Sequence, residues 1–223
     1  MLESHGRIAY AARVIPSEPI RPLHDVWLRP RRVFRELASQ PIGRMDYLLG
    51  AAQGMVGWLA LSRATNAAAT SGVAAIIGRA AIGGSLMGVA SLFLFAEIYE
   101  RLGSRLGGKS TRNQVVHVLA YGSVPIAVSL GIWLMTALLA GDAAFMPVPR
   151  PDIESFVALL LHAQFIAYVL LAFWSVVLQV MGFSEIQGLT TRKAFWVWML
   201  GQLIGALGAL FLTLLIATLF PIT

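Results

Sequence analysis

The chain has no cysteine, and only two lysines stand against fifteen arginines. Without cysteine there can be no disulfide, no thiolate metal site, no cysteine nucleophile and no palmitoylation. Charge is scarce as well, at 13% of residues, and no Asp or Glu falls in the middle of an apolar run. A proton or ion path needs several carboxylates or histidines stacked in depth, so that chemistry has little to stand on. His117 and His162 fall at different depths of different runs and are not expected to share a metal ion. Long polar stretches are also missing. The longest segment outside the apolar runs is residues 1–45, too short to bury a soluble enzyme core of its own.

Apolar length is what the chain has. Five runs, over residues 46–62, 80–99, 115–140, 155–182 and 194–219, cover more than half of it. A bilayer core of about 30 Å takes roughly 20 helical residues, and in lipid only a helix or a closed barrel satisfies every backbone N–H and C=O. The runs lack the polar–apolar alternation of barrel strands. The expected fold is therefore all-α, a polytopic membrane bundle of five helices at 46–223 behind a tail at 1–45. Its first run begins only after a polar tail holding Pro16, Pro19, Pro22, Pro30 and Pro41, so no cleavable signal peptide is expected.

Cations set the orientation. Arg7, Arg13, Arg21, Arg29, Arg31, Arg32, Arg35, Arg44, Arg101, Arg105, Lys109, Arg112, Arg192 and Lys193 share one side of a five-span chain, and Arg63, Arg79 and Arg150 the other. The positive-inside rule then places the N-terminus inside and the C-terminus outside. The net charge of +6 reads as topology rather than nucleic-acid affinity, which would need a basic face on a folded domain. The bias to arginine and alanine suggests a GC-rich bacterial gene, and with it a bacterial cytoplasmic (inner) membrane location.

In the tail, Pro30 can open a helix, where its missing N–H is not needed. Val33, Phe34 and Leu37 then share one face, with Arg31, Arg32 and Arg35 away from it. Two readings fit: an interfacial helix on anionic inner-leaflet lipid, where each cation adds about 1 kcal/mol, or an amphipathic helix packed on the inner loops. Small residues mark packing faces at Gly50 and Gly54 in the first run and at Gly201, Gly205 and Ala209 in the last, where another backbone could approach closely. Pro125 is expected to kink the third helix. Glu97 and Arg101 are spaced to pair across one helical turn.

Residues 103–110, Gly-Ser-Arg-Leu-Gly-Gly-Lys-Ser, match the phosphate-loop pattern letter for letter. That loop works between a buried strand and a helix, with a separate acid for magnesium. Here it joins two membrane segments. Nucleotide binding is not expected, and the segment reads instead as a Gly-rich turn whose Arg105 and Lys109 meet headgroups.

Leu106-Gly-Gly-Lys-Ser-Thr111, carrying Gly107 and Gly108, followed by Tyr121 and Pro125 in the third run, resembles the central signature of the Yip (Ypt-interacting protein) domain family. The pattern Trp27, Pro30, Phe34, Leu37, the stretch Phe173-Trp-Ser-Val-Val-Leu, and Gly182-Phe-Ser-Glu-Ile-Gln-Gly-Leu-Thr190 agree with it in order and placement. The resemblance implies a five-span membrane protein of bacterial type with no catalytic residues and no cofactor. Eukaryotic members are trafficking factors that bind prenylated Rab GTPases and each other. The Asp-Leu-Tyr-Gly-Pro motif of the eukaryotic tail is missing here, so Rab binding is not carried over. The function expected is a non-enzymatic scaffold or accessory subunit that meets lipid or other integral membrane proteins, in a larger complex or as a homo-oligomer. The alternative is a small transporter or channel component, which an odd number of spans without inverted repeats argues against.

Overall fold

A computed structural model of the chain describes residues 20–147 and 155–219. The described elements are helical, with no strand among them. Two short tail helices, α1 (Pro22–Asp25) and α2 (Pro30–Leu37), lead into α3 (Arg44–Ala64). After a 3-10 turn at Ala67–Ala69, α4 (Val73–Arg79) continues through one π-helical stretch at Ala80–Gly84 into α5 (Ser85–Arg105). Then come α6 (Arg112–Gly122), α7 (Val124–Ala140), a 3-10 turn at Gly141–Phe145, α8 (Ser155–Gln187) and α9 (Thr191–Leu219).

Among the described residues three helical stretches are long and apolar enough to cross a membrane, Val73–Arg105, Arg112–Phe145 and Phe156–Gln187, with 33, 34 and 32 residues. At 1.5 Å per residue each spans about 50 Å, more than a hydrocarbon core of about 30 Å. Their outward faces suit lipid: Leu86, Leu94, Leu138, Phe165, Leu170 and Phe173 are all exposed.

Lipid tails are as apolar as leucine, so helices in a bilayer associate through close packing rather than water exclusion. The tightest crossing here joins α3 to α5. A Cβ on Gly54 would fall on the carbonyl oxygen of Gly84, and one on Gly88 on the carbonyl oxygen of Gly50. The two backbones are thus in direct contact over four glycines. The last helix packs differently. A Cβ on Gly201 would strike the ring of Tyr99, and one on Gly205 the ring of Phe95. Aromatic rings of α5, rather than a second backbone, fill the notch that the small residues of α9 leave. The side chain of Ala209 lies outside the described residues.

Between α6 and α7 the helix breaks at Ser123 (φ −90°, ψ 4°), and Pro125 falls in the first turn of α7. Proline has no N–H to continue the ladder. Carbonyls at the break are also met by side chains: Ser123 Oγ donates to the Ala120 carbonyl at 2.7 Å, and Ser175 Oγ of α8 to the Gly122 carbonyl at 2.7 Å. Two buried clusters lie on either side of the break. One gathers the tail, Leu92, Tyr99, Val115 to Val124, Leu178, Phe183 and Val197. The other holds Val56, Leu59, Ile76, Ala80, Trp133, Ala137, Ala144 and Phe145.

Candidate functional site

The tail helix α2 opens at Pro30, and its apolar face is buried against the bundle. Val33, Phe34 and Leu37 are 0%, 1% and 2% exposed. Burying side chains of this size is worth about 1.5–3 kcal/mol each. Phe34 fits because Gly182 of α8 has no side chain: a Cβ there would lie 3.0 Å from the Phe34 ring. The apolar face of α2 is thus occupied by protein. Its cations point elsewhere. Arg32 Nε donates to Glu36 at 2.8 Å, Arg35 Nε to Glu185 of α8 at 2.8 Å, and Arg31 Nη2 lies 3.5 Å from the Thr191 hydroxyl of α9. Glu185 beside Arg35 raises the pKa of that guanidinium further above its ordinary value. The pair is largely exposed on the arginine side, and exposed ion pairs contribute only about 0–1 kcal/mol.

Residues 103–108 end α5 in a Schellman cap. The Gly108 N–H donates to the Gly103 carbonyl at 2.8 Å and the Gly107 N–H to the Ser104 carbonyl at 3.1 Å, with Gly107 at φ +93°. Both bonds belong to the pattern that closes a helix on a left-handed residue. The next amide, Lys109 N–H, donates to the Gln187 carbonyl at the end of α8, at 3.3 Å. The amides a phosphate loop would aim at phosphates are therefore given to protein carbonyls. Gly103 and Gly108 are small for another reason, because Gln187 lies against both. Its Nε2 donates to the Tyr99 carbonyl at 3.2 Å. Lys193 Nζ reaches the Leu106 carbonyl at 3.3 Å.

The stretch 182–190 supplies the opposite half of this joint. Phe183 is fully buried with its ring 4.7 Å from that of Tyr99. Ser184 Oγ donates to the Leu189 carbonyl at 2.8 Å, Gly188 takes φ +64°, and α9 begins after Thr190.

A buried polar pair ties the tail down. His117 Nδ1 lies 2.8 Å from Asp46 Oδ1, and its Nε2 lies 3.1 Å from the Gln40 carbonyl oxygen. Both side chains are 3% exposed. Each ring nitrogen thus faces an oxygen, an arrangement complete when both carry a proton. The second carboxylate oxygen of Asp46 accepts the Gly43 N–H at 2.8 Å, at the start of α3. Gln114 acts likewise, accepting the Thr111 N–H at 3.0 Å and donating to the Ala38 carbonyl at 3.2 Å.

Three parts of the chain distant in sequence, the tail, the 103–111 turn with the start of α6 that follows it, and the 182–193 turn, therefore meet at one end of the bundle. Of the residues singled out from sequence, Arg31, Arg35, Gly107, Gly108 and Lys109 lie here, and Tyr121 stands beside His117 with ring centroids 6.5 Å apart. Arg105 is exposed on the last turn of α5. Pro125 sits just beyond, Gly201 packs on the Tyr99 ring that also meets Phe183, Gly205 packs on Phe95, and Gly50 and Gly54 pack α3 on the 84–88 stretch. Glu97 and Arg101 pair at 2.6 Å. Sequence reasoning missed Asp46, because its partner is 71 positions away, and Gln187, whose carboxamide looks like ordinary packing until the turn folds over it. Gly84 and Gly88 were missed too, though their spacing repeats the small-xxx-small pattern that picked out Gly50 and Gly54.

A family model for the Yip1 domain matches residues 25–216, from the tail helices through most of α9. The chain belongs to the Yip1 domain family. No curated protein and no solved structure matches it. Within this Yip1 domain the sequence motifs of the resemblance are not scattered features. The tail pattern, the Gly-Gly-Lys turn and the 182–190 stretch are three sides of one joint. Most of its polar groups bond to one another, with Ser110 Oγ and Gln187 Oε1 buried and unpartnered among the described residues, and among those residues no cluster of three His, Asp or Glu side chains is placed to hold a metal.

Proposed function

We propose that this Yip1 domain protein is a non-enzymatic membrane scaffold or accessory subunit that presents its tail-side face to other integral membrane proteins and to anionic lipid. One observation carries the reading: side chains and amides of the motif segments bond across to one another, as Lys109 N–H to the Gln187 carbonyl and Gln114 to the Ala38 carbonyl, and hold the tail on the bundle, while Arg31, Arg105 and Lys109 side chains remain exposed around that joint. A rigid plate with basic residues around it suits docking rather than turnover. Five spans, with α3 and α9 as the first and last, and an inside N-terminus in a bacterial cytoplasmic membrane, complete the proposal. The 14 cations on the tail side support that orientation.

The test is a gentle detergent extraction of tagged full-length protein from its native membrane, with mass spectrometry of what accompanies it. Replacing Arg31, Arg105 and Lys109 together by glutamate is expected to strip the co-purifying membrane proteins or anionic lipid and leave the melting temperature unchanged. An unchanged set of companions would remove the docking-face reading. For orientation, a reporter active only in the cytoplasm is expected to give signal after Ser110 and none after Gly141; the reverse result would overturn it.

A further inference from the structure

At the end of α3 remote from the tail, Arg63 is a half-buried cation that no carboxylate meets among the described residues. Arg63 is 19 residues along the helix from Arg44, or about 28 Å at helical rise, so this is the opposite end of the bundle. Its guanidinium lies over the Trp133 ring at 5.7 Å. Nε donates to the Met146 carbonyl at 3.4 Å and Nη1 to Gln164 Oε1 at 3.2 Å. A guanidinium has five N–H donors, so the Nη2 hydrogens and one on Nη1 have no acceptor among the described residues.

Gln164 adds a second observation. Arginine only donates, so the amide oxygen must face it, and that leaves Gln164 Nε2 buried with no partner. Gln164 is 2% exposed. Donors without acceptors thus cluster about one point. Beside them opens a cavity of about 450 Å³, lined by Arg63 with Pro147, Leu161, His162 and Phe165. Sites for small ligands run from about 300 to 1,000 Å³ and pair an apolar wall with a few polar groups. His162 stands at this wall with Nδ1 donating to the Ala158 carbonyl at 2.7 Å, so its Nε2 can donate to an anion only in the protonated ring. Phe165 and Leu159 beside it on α8 are exposed and apolar.

The geometry points to a site for the phosphate group of an anionic amphiphile, its oxygens against Arg63 and its chains along the apolar flank of α8. Arginine's planar fork matches phosphate in two parallel bonds. A half-buried cation is costly to leave without acceptors, and a lipid phosphate would supply them. This site is independent of the tail-side face.

Full-length protein in dodecylmaltoside, titrated with dioleoylphosphatidylglycerol and followed by native mass spectrometry, tests it. The tightest lipid is expected to weaken about tenfold in R63Q, to be partly kept in R63K, and to be untouched in R79Q, which removes an exposed arginine bonded to Ser71. Dioleoylphosphatidylcholine, which carries the phosphate but no net charge, is expected to bind more weakly than the glycerol lipid. Glycerol 1-phosphate separates the sources: failure to displace the lipid supports an amphiphile, whereas equal binding by the soluble phosphate overturns the lipid assignment. Lipid retention in folded R63Q and R63K equal to that of the wild type would sink the site, as would follow if a carboxylate of the chain neutralised the arginine.

Discussion

Replacing Gly88 by alanine adds one methyl at the point where α3 and α5 touch. That carbon would fall on the Gly50 carbonyl oxygen and 2.7 Å from Gly54 Cα. Carbon atoms prefer about 3.5–4.0 Å, so the helices must part by about 1 Å along this crossing. A gap of that size forfeits a quarter to a half of each contact it opens, and overpacked cores generally lose about 1–3 kcal/mol. At about 2 kcal/mol, the melting temperature of a chain this size drops by about 4–8 °C. Gly57 is the internal control: it lies on α3, three residues beyond Gly54 of the same helix pair, and a Cβ there meets nothing within 4 Å. Gly57→Ala should hold or raise stability, since glycine in a helix interior costs about 0.5–1 kcal/mol relative to alanine. The assay is thermal unfolding in a neutral detergent, read by tryptophan fluorescence and circular dichroism. If G88A melts with the wild type, or G57A falls as far as G88A, the glycine crossing does not carry the weight assigned to it.

Asp46→Ala removes acceptors from both His117 Nδ1 and the Gly43 N–H; the buried imidazole left without that partner costs about 1–3 kcal/mol, while water can meet the N–H of exposed Gly43, and protease cutting near residues 38–43 should rise. In a double-mutant cycle with His117→Ala the coupling should exceed about 0.5 kcal/mol; simple additivity would mean that the pair does not act as a unit. In the turn, Gly107→Val should destabilise through its positive φ and Gly108→Val through collision with Gln187, whereas Lys109→Ala should insert and melt like the wild type. Saturable, magnesium-dependent ATP or GTP binding lost in Lys109→Ala would overturn the account of that turn.

Some of this architecture was legible in the residues. Pro30 marks the start of α2, apolar length marks the cores of α5 and α8, and Glu97 with Arg101 needs only helical spacing. What could not be read is what each face meets. The stripe Val33, Phe34, Leu37 is the same stripe whether lipid or protein covers it, and only Gly182, 148 positions after Phe34, tells them apart. Asp46 stands at the edge of the first apolar run and draws no notice there; its carboxylate is matched only once α6 brings His117 alongside. Likewise Pro125 announces a bend, but the break lies two residues earlier at Ser123, where Ser175 can serve the buried Gly122 carbonyl. The Gly-rich loop misleads for the same reason. Its letters allow a phosphate cradle, and the neighbouring Gln187 decides that it becomes a helix cap.

The break at Ser123 also has a dynamic consequence. Because α6 and the first residues of α7 pack with the tail while the rest of α7, through Trp133 and Ala137, packs with Phe145, the two ends of the bundle are expected to behave as distinct cooperative units joined along α3 and α8. Such units open with their own free energies. Amide hydrogen exchange should therefore resolve two tiers of protection, one for each end, and a partner seated on the tail side would slow exchange there while leaving the breathing of the far end at its own pace.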